Sequence, residues 1–325
     1  MTQNTRTIRI IGTGLYGYKQ LKYLSTLDLD NVELDLVCAI NEENRNKYHY
    51  FSYDNIPNSI IKKKTISELT HNFDDNPYLD YPIYGQFDHI NEPIDEIVII
   101  ICDTTELCSL EISNYFIVKY SKYNSSPVMY IPKVPKEMVY DEHGFGEPIE
   151  NLNIAPSDLD TIYLKYKRSR SLADITFPLN SYSNQPFNNP RLNSNIYNRI
   201  ASITTTIINS NKNHGYNHIN NLDIYNILKG TSKVNHSEWS GSISEFKRRD
   251  IAHIYQYHIM NLRLSNYAHR MFYSIKHSSD VLLKQLDELI YVTKFRLCNK
   301  TIEITKTEKD PTLPKNHISI SLFTA

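Results

Sequence analysis

The chain has 325 residues, of which 40% are hydrophobic and 22% charged, and its formal net charge is −1. A chain of this length and composition can bury sizeable cores and is long enough for two domains, which indicates a globular protein. Because a net charge near zero provides no overall field for polyanions, direct binding of nucleic acid or of a membrane surface is not predicted.

Cysteine and histidine usage excludes several classes of site. The four cysteines are scattered and form neither a disulfide framework nor a CxxC pair. The histidines show no HExxH motif, so no metal site is predicted. The first residues lack the apolar segment of a signal peptide, and no run approaches the ~18 apolar residues of a membrane helix. We therefore expect a cytoplasmic protein.

The first half of the chain alternates strand and helix patterns. The predicted elements are, in order, strand 8–11, a helix to Ser25, strand 32–40, a short helix near 66–69, strand 94–102, helix 107–123, strand 128–131 and strand 159–164. Strand 94–102 is the most apolar run and is typical of a fully buried central strand. This alternation predicts a Rossmann-like parallel sheet with helices on both faces.

The second half begins with a long helical pattern in which Ile196, Ile200, Ile203 and Ile207 recur at spacings of three and four. The elements predicted after it are helix 224–228, strand 238–243, helices through about 259 and over 267–275, and strands near 289–298, 301–305 and 318–323. We expect a Rossmann-like nucleotide-binding domain at 1–190, a core helix at 191–212 and a smaller C-terminal α/β domain at 213–325.

Three of the nine glycines fall close together, as Gly12, Gly14 and Gly17. They follow the first predicted strand and precede a helix. This arrangement brings bare backbone amides and a helix N-terminus up to a phosphate group. The motif therefore predicts a bound nucleotide without specifying which one.

One interpretation is an NAD(P)-dependent oxidoreductase. The glycine motif, with Glu42 just beyond the second strand to hold a ribose, resembles the N-terminal domain of the glucose-fructose oxidoreductase (Gfo/Idh) family. That family has a Glu-Lys-Pro motif after its fifth strand. The comparable position here reads Tyr130-Ile131-Pro132-Lys133, so the catalytic lysine of the family has no match.

A second motif, Asn221-Leu222-Asp223-Ile224-Tyr225-Asn226, opens the short helix that follows the long one. It resembles the Asn-x-Asp-x-x-Asp catalytic loop of the FtsZ/tubulin superfamily. In that superfamily the acidic groups reach the nucleotide of the next subunit and polarise water against its terminal phosphate. The resemblance assigns Asn221, Asp223 and Asn226 to a catalytic loop in which an amide replaces the last acid.

The order of the remaining segments also resembles this superfamily. A glycine loop follows strand one, a phosphate loop would follow the buried strand, and residues 162–168 are similar to the base-contacting strand and turn of the plasmid- and phage-borne TubZ group. The nucleotide-binding residues that the resemblance implies are Gly12, Thr13, Gly14, Gly17, Asn41, Asp103, Thr104, Thr105 and Lys165.

The second phosphate loop departs from the family pattern. GTP-binding members carry a glycine-rich loop where this chain has Asp103-Thr104-Thr105-Glu106-Leu107-Cys108-Ser109, without a glycine. Side chains there would obstruct the approach of phosphates to backbone amides, and Glu106 would add negative charge. Thr104 and Thr105 could still cap the next helix and donate hydroxyl groups. We therefore expect a degenerate GTP site with weak or absent GTPase activity.

The leading interpretation is thus a tubulin/FtsZ-like α/β protein of two domains joined by a core helix. The resemblance implies head-to-tail assembly into filaments, with copies of itself or with a related tubulin-like subunit. Two alternatives stay open. One is the oxidoreductase, with Gly12, Gly14, Gly17 and Glu42 on the dinucleotide, and the other is a binding module that keeps the fold without polymerising.

Overall fold

The computed structural model describes residues 8–27, 29, 31–39, 48–52, 54, 97–124, 126–134, 156–180, 196–208, 221–230, 234–242, 254, 270–297 and 302–325. The chain divides into two compact units, Met1–Ala201 and Ser202–Ala325. The expected domain limits at 190 and 212, and the short helix expected near 66–69, lie outside the described residues.

Unit 1 contains a seven-stranded sheet. Its strands are β1 (Ile8–Thr13), β2 (Val32–Ala39), β3 (Tyr48–Ser52), β4 (Ile97–Asp103), β5 (Val128–Val134), β6 (Ile175–Thr176) and β7 (Leu179–Asn180). The order is β3-β2-β1-β4-β5-β6, and β7 also pairs with β5. All pairs are parallel except β2 with β3. Every residue of β1 and β4 is buried, as expected for the central strands of a sheet covered on both faces.

Unit 1 holds three of the described α-helices, and a fourth crosses its C-terminal limit. They are α1 (Gly14–Leu24), α2 (Leu107–Val118), α3 (Pro156–Leu172) and α4 (Ile196–Ile208). A π-helical segment, Lys119–Asn124, continues α2. Helix α2 and the π-helical segment pack aromatic residues against the sheet, where Phe116 and Tyr120 join one buried cluster with Ile100 of β4 and Tyr130 of β5. The division between the two units falls within α4.

Helix α1 lies directly against strand β1 because two glycines face each other. A Cβ atom built on Gly12 would lie 2.8 Å from the carbonyl oxygen of Gly17 and 2.8 Å from Cδ1 of Leu21. A Cβ atom built on Gly17 would overlap the carbonyl carbon of Gly12. These two glycines therefore serve close packing of helix on strand, irrespective of any ligand.

Unit 2 has a smaller sheet. Its elements are α5 (Asn221–Leu228), β8 (Asn235–Ser242), β9 (Arg270–His277), α6 (Leu283–Leu297), β10 (Ile302–Lys309) and β11 (His317–Thr324). The strand order is β10-β9-β11-β8, with β10 and β9 parallel and the other pairs antiparallel. Leu286 and Leu289 of α6 pack against Tyr273, Ile275 and Ile320 of the sheet. The two units confirm the predicted α/β class.

The prediction of a strand at 159–164 was wrong, because these residues belong to α3. Ile162, Tyr166 and Ser169 are buried, whereas Leu164 is 66% exposed. Burial at spacings of four and three is the period of a helix, and a strand would have buried every second residue. Pro156, the first residue of α3, is also a residue that favours the start of a helix.

Two further predictions, both in unit 2, were wrong. Residues 289–298 were predicted as a strand, but α6 runs through Leu297 and begins with Gln285 accepting a hydrogen bond from the amide of Leu282 at 2.9 Å. Residues 270–275, predicted as helical, form most of β9, whose residues Met271 to Ile275 are all buried. A short continuous apolar run has no periodicity that separates a buried strand from a buried helix.

The close contact between α1 and β1 can be tested with Gly17→Ala. We expect the substitution to lower the free energy of unfolding by about 2 kcal/mol, because the new methyl group overlaps the Gly12 backbone. Alanine's higher helix propensity, about 1 kcal/mol, offsets only part of that loss. Urea unfolding followed by circular dichroism measures the difference. The control is Lys19→Ala at an exposed position of the same helix, and equal stability of the two variants would contradict the packing argument.

Candidate functional site

The candidate site lies in unit 1, where strands β1 and β4 end side by side. Helix α1 begins directly after β1, and α2 begins four residues after β4. The chain continues from β1 to β2 on one side and from β4 to β5 on the other, so the strand order reverses at this point. Ligands of open α/β sheets bind at such a reversal, and two helix N-termini make this one favourable for anions.

Gly14 is the glycine of the motif that faces the second loop. It has a φ of +65°, a left-handed conformation that favours glycine. A Cβ atom at this position would overlap Oε2 of Glu106 and would lie 3.2 Å from Oγ of Ser109. The loop after β4 therefore lies directly over the glycine turn.

Thr13 joins the two loops through its hydroxyl group. Its Oγ1 lies 2.6 Å from Oγ of Ser109 and 3.1 Å from Oγ of Ser113, both on α2. The Ser109 hydroxyl donates to the Thr13 carbonyl oxygen at 2.9 Å. Thr13 and both serines are buried. The Thr13 side chain, predicted from the resemblance to contact a nucleotide, is thus engaged within the protein.

Asp103, Thr104 and Thr105 are also engaged locally. Oδ1 of Asp103 accepts the amide N–H of Thr105 at 3.0 Å and its hydroxyl at 2.7 Å. Oδ2 of Asp103 forms an ion pair with Lys133 of β5. The hydroxyl and the amide of Thr104 both donate to the Lys133 carbonyl oxygen at 3.0 Å. The loop is therefore closed by bonds between its own residues and β5.

Lys133 was not among the predicted site residues. Besides pairing with Asp103, its ammonium group lies 5.3 Å from the centre of the Tyr16 ring, over its face, on helix α1. Lys133 thus connects the loop after β4 with the first turn of α1. The sequence contained one signal for it, since a lysine placed at the end of a buried strand lies at the edge where parallel strands form sites.

Glu106 has the most perturbed electrostatic environment in this loop. It is the N-cap residue of α2, yet its side chain makes no capping hydrogen bond to that helix. Burial and the charge of Asp103 raise the pKa of Glu106 to about 8. Lys133 and the backbone amides of Tyr16 and Leu15 favour the ionised form but do not restore an ordinary pKa. Its Oε2 atom is buried without a hydrogen-bond partner.

Cys102, directly below this loop in β4, is not available as a nucleophile. Its sulfur lies 3.0 Å from the Tyr130 hydroxyl oxygen, and both residues are fully buried. Burial raises the pKa of the Cys102 thiol to about 12. A thiol that stays protonated at neutral pH is a poor nucleophile and a poor metal ligand.

Lys165 lies in a helix and not in a strand or turn. It belongs to α3 and forms an ion pair with Glu111 of α2. Since residues 159–164 are helical, the base-contacting strand and turn that gave Lys165 its predicted role are absent. Asn41, predicted from the same resemblance, lies outside the described residues.

The second motif belongs to unit 2 and opens helix α5. Asn221 is the first residue of that helix, and Asp223 lies in its first turn. A negative charge there stabilises the helix through its dipole. Ile224 and Leu228 are buried, whereas Asn226 is exposed. The catalytic role of Asn221, Asp223 and Asn226 stays a prediction.

Within the part of the chain that the structure describes, no three histidine, cysteine, aspartate or glutamate side chains are grouped so that they could hold a metal ion. Among the helices described, none is long and apolar enough to cross a bilayer.

No family model matches this chain, and no curated protein matches it by sequence. Solved structures, by contrast, match nearly all of it. An FtsZ dimer from M. jannaschii has a TM-score of 0.61 at 10% identity, with 99% of this chain and 89% of that one covered. CetZ2 from Haloferax volcanii, in a GTPγS-bound protofilament, has a TM-score of 0.61 at 10% identity, with 98% and 92% covered.

TubZ of Bacillus thuringiensis serovar israelensis, in GDP-form protofilaments, has a TM-score of 0.66 at 9% identity, with 98% of this chain and 86% of that one covered. Likeness at such low identity concerns the fold alone. It confirms the fold that the glycine loop, the buried strand and the Asn221 motif together predicted. The chain has the tubulin/FtsZ-like two-domain α/β fold.

Proposed function

We propose that this protein is a tubulin-like cytoskeletal protein that assembles head to tail into filaments and has weak or absent GTPase activity. The observation that carries the proposal is the fold similarity over 98–99% of the chain to an FtsZ dimer and to CetZ and TubZ protofilaments. The similarity supports the proposal because it extends over both units of the chain.

In the proposed contact, helix α5 of one subunit meets the glycine-loop face of the next. Such an interface joins two different surfaces, and its repetition generates a filament rather than a closed dimer. The exposed Asn226 and the partly buried Asp223 are the polar groups that α5 would bring to it. Asp223 would then contribute to subunit contact more than to chemistry.

The described residues of the phosphate site do not fit a nucleotide polyphosphate. The loop at 103–109 has no glycine, and the carboxyl group of Glu106 lies against Gly14 where phosphate oxygens would approach the amides of α1. Asp103 adds a second acidic group nearby. The Glu106 side chain occupies this space whether or not it is ionised, and Lys133, the cation beside it, is already paired with Asp103. We therefore infer that assembly does not require GTP.

The same carboxyl group also weakens the oxidoreductase alternative, since a dinucleotide pyrophosphate would need the same amides of α1. The other alternative, a binding module that does not polymerise, differs from the proposal only in whether the protein assembles into filaments. Neither alternative has a specific structural observation in its favour.

Assembly can be tested by sedimentation and negative-stain electron microscopy. We expect filaments that pellet without nucleotide and in the same amount with GTP. Asp223→Ala should reduce the pelleted fraction several-fold, because the substitution removes a charged group from the centre of the proposed contact. Asp287→Ala, the same change at an exposed site of α6, should leave the fraction unchanged. A chain that never pellets, or one that binds NADPH saturably without pelleting, would refute the proposed function.

Phosphate release from GTP provides a separate test. We expect a rate equal to that of the protein-free solution, both for the natural chain and for Asn226→Asp. Restoring an acid in the α5 motif supplies a group to polarise water, but the closed loop after β4 still prevents phosphate binding. A rate above background that falls in Asp223→Ala would show an active GTPase and would contradict the expected degenerate site.

A further inference from the structure

Glu106 differs from an ordinary N-cap residue in the direction of its side chain. A Ser, Thr, Asp or Asn side chain at this position accepts a hydrogen bond from an amide of its own helix, but the longer Glu106 side chain makes no such bond to α2. Its carboxyl group instead lies against Gly14, at the first residue of the neighbouring helix α1. The side chain of one loop thus extends into the site formed by the other.

We infer that the Glu106 carboxyl group occupies the anion position at the N-terminus of α1, so that the protein closes its own phosphate site with a side chain. The contact with Gly14 places an acidic oxygen next to the one residue of the turn that has no side chain. The amides of Leu15 and Tyr16 favour the ionised form of the same carboxyl group, although its Oε2 atom makes no hydrogen bond. This inference deepens the degenerate-site part of the proposed function and is independent of filament assembly.

The surroundings of the carboxyl group explain why it remains there. Thr13, Ser109 and Ser113 hold the two loops together with hydrogen bonds of 2.6–3.1 Å. The charged groups that face Glu106 are Asp103, from its own loop, and Lys133, from β5. Because these two are paired with each other, the lysine is only partly available to compensate Glu106, and the dipole of α1 supplies further compensation.

The charge of the closed site depends on whether the Glu106 carboxyl group is protonated. Burial and Asp103 raise the pKa of Glu106 to about 8, compared with 4.5 for the free group. Between these values the folded protein keeps a proton that the unfolded chain has released. The stabilisation that comes from the raised pKa of Glu106 is therefore complete below pH 4.5 and is lost as the pH rises towards 8. Above pH 8 the site holds a negative charge.

Binding of inorganic tripolyphosphate, measured by calorimetry on the unassembled full-length chain, tests the occupancy. Glu106→Ser removes the carboxyl group and retains a residue that caps helices well. We expect it to bind at least about ten-fold more tightly than the natural chain, the gain from one hydrogen bond to a charged group. Glu106→Gln keeps the shape of the side chain without its charge, so the phosphate site of this variant should stay closed.

Glu288→Ser, the same substitution at an exposed position of α6, controls for the change in net charge. Three results would overturn the inference: tripolyphosphate binding by the natural chain as tight as by Glu106→Ser, no binding by Glu106→Ser, or an open site in Glu106→Gln. None of these measurements depends on sedimentation. If the protein does not form filaments, the inference about Glu106 is unaffected. If that inference is wrong, the proposed filament assembly is unaffected.

A second measurement needs no ligand. The melting temperature of the natural chain relative to Glu106→Gln should fall between pH 5 and pH 8 and then level off, because in this range only the natural chain releases a proton from residue 106 when it unfolds. Differential scanning calorimetry of both proteins in matched buffers gives this difference. A constant difference across the range would mean that the carboxyl group is not held at the site, and the inference would be wrong.

Discussion

The direct contact between the backbones of helix α1 and strand β1 is the constraint on which the site depends. Gly12 and Gly17 permit it because neither carries a Cβ atom. The contact brings the first turn of α1 to the edge where β1 and β4 end, beside the start of α2. Amide groups at a buried helix terminus need partners. In this chain we assign Glu106 as the partner, although nucleotide phosphates can satisfy the same geometry.

The polar groups around that position are bonded to one another. Thr13 is bonded to serines of α2, while Asp103 is paired with Lys133. Side chains that could otherwise have reached a phosphate thus hold the loops together. If filaments form by the proposed contact, no hydrolysed nucleotide distinguishes an old subunit from a new one. Assembly would then be an equilibrium governed by concentration and surface complementarity.

Local patterns predicted the fold well where burial and periodicity agreed. The apolar run of β4 and the isoleucine spacing of α4 are examples, since each corresponds to one dominant periodicity. Prediction failed for α3, α6 and β9. In α3 the exposed Leu164, two residues after Ile162, imitated the alternation of a strand, whereas the mostly apolar run of β9 suits either a buried helix or a central strand. In such cases the neighbouring strands and helices determine whether the segment forms a helix or a strand.

The sequence by itself determined the glycine turn, the buried strand β4, and the absence of glycine between Asp103 and Ser109. These properties depend on neighbours in the chain, so composition and spacing reveal them. Only the tertiary structure decided that Gly12 and Gly17 serve packing, that Lys133 pairs with Asp103, and that Glu106 lies at Gly14. Residues 14 and 106 are far apart in the chain, and the parallel pairing of β1 with β4 brings them together.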